Sequence, residues 1–100
     1  MPWRRFVVAD RSMEPTLVAG QGLVARTTRR ARPGELRCVE HPEHPGFWLV
    51  KRVDSVDAAA GTMRVHSDNH DAATVDSRQF GRVAIAGSYR VVLRVPRWLM

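Results

Sequence analysis

The stretch Phe47-Trp48-Leu49-Val50-Lys51-Arg52-Val53 decides the fold class. Aromatic and β-branched residues dominate it. A side-chain period of two puts Phe47, Leu49, Lys51 and Val53 on one face and Trp48, Val50 and Arg52 on the other. Working outward, β-type runs recur at Arg5 to Ala9, Gly22 to Thr27, Leu36 to Glu40, Thr62 to Ser67, Arg82 to Ile85 and Tyr89 to Val95. Turn formers separate them at Pro33-Gly34, His44-Pro45-Gly46, Ala60-Gly61 and Ala86-Gly87. No apolar stripe with helical period extends beyond two turns. The pattern predicts an all-β fold, a compact β-barrel or coiled sheets with little helix, in a single domain over residues 1–100. Met13 to Leu17 is expected to make one helical turn, with Ser12 as its N-cap.

Composition supports that reading. One hundred residues with 44% hydrophobic and 26% charged side chains suit one domain with one modest core. No G-x-G-x-x-G follows a strand, and the lone lysine follows Val50, so the P-loop G-K-[ST] signature is excluded. The single cysteine, Cys38, cannot form an intrachain disulfide. No apolar run approaches the roughly 18 to 20 residues of a membrane span. Trp3 to Ala9 runs into Asp10-Arg11 before a leader-type apolar region develops. The expectation is a soluble, cytoplasmic chain, at most associated with a membrane surface.

The net charge is +6, yet the arginines are dispersed, and only Arg29-Arg30-Ala31-Arg32 is clustered, at a loop tip before Pro33-Gly34. A nucleic-acid partner is therefore not expected, although an anion contact at that tip is compatible with the pattern. Trp3, Trp48 and Trp98, with Arg4, Arg5 and Arg97, read either as aromatic capping of a small barrel or as a belt for peripheral membrane contact; capping is the preferred reading. Cys38, His41 and His44 flank Glu40 and Glu43, but the spacing is short and two prolines make the segment a turn, so no metal or cofactor is expected. Neither His66 nor His70 lies in a motif that would support Ser-His-Asp catalysis.

Lys51 is the only lysine among 16 basic residues. Its apolar strand neighbours either let it snorkel to solvent or bury it; burial disfavours the ammonium and makes the amine a usable general base, which arginine cannot become. A second feature points to the base. Asp10-Arg11-Ser12-Met13-Glu14-Pro15-Thr16-Leu17-Val18-Ala19-Gly20 resembles the S-M-x-P-T-L-x-x-G signature of the signal peptidase I family of Ser-Lys serine peptidases. Val50-Lys51-Arg52-Val53 is similar to that family's lysine-bearing strand. Asp68-Asn69, followed by Asp76-Ser77-Arg78-Gln79-Phe80-Gly81-Arg82-Val83, resembles its D-N…D-S-R-x-x-G-x-V block.

The resemblance implies catalysis by Ser12 as nucleophile and Lys51 as general base, with the Ser12 backbone amide as oxyanion donor. It implies that Met13 packs beside the site, that Ser77 orients the lysine amine, and that Asp68, Asn69, Asp76 and Arg78 brace a supporting loop. The partner implied is a precursor polypeptide losing an N-terminal propeptide or leader. Three departures stand out. Asp10 occupies the place of a Ser or Thr oxyanion donor, Gln21 replaces an acidic residue, and Ser67 replaces a glycine. Only eleven residues precede Ser12, which resembles the small soluble branch typified by the nickel-type superoxide dismutase maturation protease. The alternatives are a self-cleaving repressor-type peptidase domain, which needs a cleavage site and a DNA-binding motif upstream of its serine, and a non-catalytic β-rich binding module.

Overall fold

The computed structural model describes residues 2–70 and 81–99. Seven strands form one antiparallel sheet: β1 (Trp3–Val7), β2 (Gly22–Thr27), β3 (Leu36–Glu40), β4 (Trp48–Asp57), β5 (Thr62–His66), β6 (Val83–Ala84) and β7 (Tyr89–Val95). Their order across the sheet is β1-β2-β7-β3-β4-β5-β6. A single 3₁₀ turn, Arg97–Leu99, follows β7. The all-β expectation holds, and each anticipated strand is present. β4 runs four residues further than the sequence pattern suggested, to Asp57, passing a register shift between Val53 and Ser55. An extra residue of this kind bends a strand and increases its twist.

The alternation in the opening stretch sorts two cores. Val50 and Trp48 pack with Val8, Met13, Leu17, Leu23 and Cys38, whereas Leu49 and Val53 pack with Val39, Met63, Val65 and Ile85. Strand β3 is covered on both faces, with Leu36 through Val39 all buried. Phe47, counted in the strand from its pattern, precedes β4 and is exposed. The sheet also coils. Phe6 of β1 and Trp48 of β4 have ring centroids 5.4 Å apart although three strands separate their elements in the sheet order. Tyr89 completes the aromatic cluster, and the Arg4 guanidinium lies 4.6 Å from the Trp48 ring centroid, a cation–π contact. Among the described residues β1 and β6 are the sheet's edges, so the sheet curls without closing into a barrel.

Two charged-type side chains, Arg37 and Lys51, are wholly interior among the described residues. Arg37 is 0% exposed, and its guanidinium donates to Ser88 Oγ (2.9 Å), Thr28 Oγ1 (2.8 Å), Thr28 O (2.7 Å) and Glu35 Oε2 (3.1 Å). Burial pulls its pKa below the ordinary arginine value, against the opposing effect of Glu35. The planar fork supplies enough donors to satisfy several acceptors at once, which is why arginine can be tolerated here. It ties the loop between β2 and β3 to the start of β7.

No helix among the described residues is long and apolar enough to cross a membrane. The tryptophans divide: Trp48 packs in the aromatic cluster, while Trp98 is 81% exposed beside Leu99.

Candidate active site

The segment carrying Ser12 is a loop pinched at its base. Gly20 donates its N–H to Val8 O at 2.7 Å, and Val8 donates to Gln21 O at 2.9 Å. Gly20 has φ +89°, a conformation that side chains with a Cβ rarely adopt, and an added Cβ would lie 3.2 Å from Arg97 Nε. Met13 and Leu17 are fully buried and anchor the loop in the core. A single helix-like bond, Leu17 N–H to Met13 O at 2.9 Å, replaces the helical turn expected over these residues, which the structure forms as a turn. Ser12 does not cap it through its side chain; its place is in the pocket wall, at 5% exposure.

A second segment, Ser67-Asp68-Asn69 at the end of β5, clasps this loop. Asn69 donates its backbone N–H to Ser12 O (2.8 Å) and its amide Nδ2 to Arg11 O (2.8 Å). Asp68 accepts from Thr16 Oγ1 at 2.6 Å and takes both arms of the Arg52 fork, Nε at 2.9 Å and Nη2 at 2.8 Å. Its backbone N–H lies 3.4 Å from Met13 Sδ. The Arg52 pair holds the Asp68 carboxyl below its usual pKa, helped by the Thr16 hydroxyl, and the same hydrogen bond raises that of Arg52. Lys51 is 1% exposed and donates from Nζ to Ser67 Oγ at 2.7 Å. The snorkelling alternative is thereby removed. Among the described residues no hydrogen bond joins Ser12 Oγ directly to Lys51 Nζ; the segment 67–69 is what links them.

Several expectations change. Ser67, marked in the sequence only as a departure from glycine, is a partner of the lysine amine. Ser77, Asp76 and Arg78 lie outside the described residues. Among the described residues Asp68 pairs with Arg52 of β4. Thr16 braces the loop as well, a role nothing in its local pattern singled out. The Ser12 amide, expected as oxyanion donor, already donates to Asp10 Oδ1 at 3.0 Å. Asp10 is exposed, so its carboxylate can rotate off the amide. Burial pushes the Cys38 thiol up to about 12, and His41 Nδ1 accepts the Glu43 N–H at 3.0 Å.

Beside Ser12 is a pocket of about 100 Å³, with Phe6, Val8, Asp10, Trp48 and Val50 among its walls. It sits at the seam where β1 approaches β4. The volume suits a small side chain, and edge strand β1 leaves backbone groups for an extended chain to pair with.

The Asp68 clasp predicts an acid sensitivity. A carboxyl whose folded pKa lies below 3.8 contributes stability above that value and loses it as pH falls through the folded pKa. Asp68→Asn is expected to destabilise the protein by about 1–2 kcal/mol near neutral pH, the scale of a partly exposed charged hydrogen bond. Urea unfolding of both proteins checks this: the gap should shrink below pH 3.8. A gap independent of pH would contradict the assignment.

No protein-family model, no curated protein and no solved structure matches the chain.

Proposed function

We propose that the chain is a serine endopeptidase of the Ser-Lys type, resembling the signal peptidase I family, that removes an N-terminal propeptide or leader from a precursor polypeptide. The observation that carries the reading is the clasp of segment 67–69, which holds the buried Lys51 amine through Ser67 and the Ser12 loop through Asn69. Burial favours the neutral amine, and a neutral amine can take a hydroxyl proton. In the reaction, Lys51 accepts the Ser12 proton as Oγ bonds to the scissile carbonyl carbon. The tetrahedral intermediate then expels the leaving amine, which takes a proton from Lys51. Water then adds to the acyl carbonyl carbon as Lys51 takes its proton, and the acyl–Oγ bond breaks with that proton returned from Lys51 to Ser12 Oγ. The oxyanion calls for the Ser12 N–H, which the Asp10 carboxylate must first release.

The substrate would run extended along β1 and place a small side chain in the pocket beside Ser12. Among precursors of this kind, nickel-type superoxide dismutase is the narrower candidate, on motif resemblance alone. Incubation with a precursor carrying alanine before the cleavage point, read by mass spectrometry, tests the reading. Wild type should release a single N-terminal fragment and Ser12→Ala none. Equal processing by both overturns it. The contact between Asp10 and the Ser12 amide favours the second reading, a non-catalytic binding module, and absence of processing by the wild type would select it.

A further inference from the structure

Away from the Ser12 pocket, the loop between β2 and β3 and the start of β7 enclose an open groove of about 760 Å³. Arg29, Arg30, Arg32 and Arg90 line it, and all four are exposed. None of the four forms an ion pair among the described residues. The one acid in the groove, Glu35, is held by the buried Arg37 at 3.1 Å. Arg90 also stands directly across the ladder from Arg37, a like-charge placement that costs stability in a sheet. Positive charge is thus concentrated here without an ion-pair partner for these four arginines among the described residues.

The loop is fixed from beneath and at both ends. Arg37 grips Thr28 O at 2.7 Å and Thr28 Oγ1 at 2.8 Å, the Thr28 hydroxyl donates to Arg30 O at 3.2 Å, and Glu35 N–H donates to Arg32 O at 3.2 Å. At its far end Gly34 donates to Val53 O at 2.8 Å and accepts from Arg52 Nη1 at 2.7 Å. Ordering a loop on binding normally opposes affinity, and here that cost is met during folding.

We propose that this groove is a docking site for an acidic polypeptide segment, separate from the pocket beside Ser12. Guanidinium forks match carboxylates with paired hydrogen bonds. Single-stranded nucleic acid is a poorer fit, because no aromatic ring lines the groove for bases to stack on. A membrane surface is poorer too: the large exposed apolar side chains Trp98 and Leu99 lie outside the groove.

Fluorescence anisotropy with a labelled peptide of alternating Glu and Gly tests the proposal, with a Gln-Gly peptide as control. The acidic peptide should bind wild type and the Gln peptide should not. The triple variant Arg29→Ala, Arg30→Ala, Arg32→Ala should bind about tenfold more weakly, as expected for losing several surface charge pairs together. A charge-matched variant, Arg5→Ala, Arg64→Ala, Arg94→Ala, should retain wild-type affinity. Three results overturn the proposal: no binding of the acidic peptide, equal loss in both variants, or tighter binding of an oligodeoxynucleotide or a phosphatidylserine vesicle through the same arginines. The assay needs no peptidase activity, so it stands whether or not Ser12 is a nucleophile.

Discussion

Lys51→Arg is expected to lower kcat/KM for precursor processing by about a thousandfold, within the range typical of a lost general base. Arginine keeps much of the length and the hydrogen-bond donors, but it does not release its proton at ordinary pH. The side chain is 1% exposed, so the bulkier guanidinium also strains its surroundings. Lys51→Met separates these effects, because its volume is similar and it adds no charge. Both variants should lose activity, while Lys51→Met should keep a thermal midpoint closer to that of the wild type than Lys51→Arg does, since it places no charge in the buried site. The wild-type rate should rise with pH as the amine deprotonates. Retained activity in either variant would contradict a lysine base.

Arg37→Met is expected to remove about 3–5 kcal/mol of stability, the scale for breaking one partner out of a buried ionic network. The substitution leaves the carbonyls of Thr28 and Ser88 and the Glu35 carboxylate without their donor. For a chain of this size the thermal midpoint should fall by roughly 15 °C or more. Arg37→Lys should recover part of the loss, since an ammonium is a point donor that cannot reach all these acceptors together. Calorimetry of the three proteins measures it, and a change under about 1 kcal/mol for Arg37→Met would refute the structural role.

What the sequence disclosed depended on the kind of interaction. Strand positions were readable because β-branched residues and Gly or Pro turns leave local marks, and the alternation around Lys51 correctly separated Leu49 and Val53 from Trp48 and Val50. The signature around Ser12 is now physically intelligible: Met13 and Leu17 anchor the loop, Thr16 binds Asp68, and Gly20 takes the positive φ that closes it. Partnerships set by folding were not readable. Arg37 looks like an ordinary strand arginine, and only the coverage of both faces of β3 makes it interior. Ser67 meets Lys51 because β5 returns antiparallel to β4 and then turns towards the Ser12 loop. The Asp10 contact arises from loop geometry two residues long, which the type of residue alone did not indicate.

The central claim is that Ser12 is a nucleophile activated by Lys51. Intact-mass spectrometry after incubation with a serine-directed acylating inhibitor tests it most directly. The account predicts one covalent adduct on the wild type, mapped to Ser12 by peptide analysis, and none on Ser12→Ala or Lys51→Ala, with all three proteins folded. An adduct on another residue, no adduct on the wild type, or acylation of Lys51→Ala at the wild-type rate would contradict it.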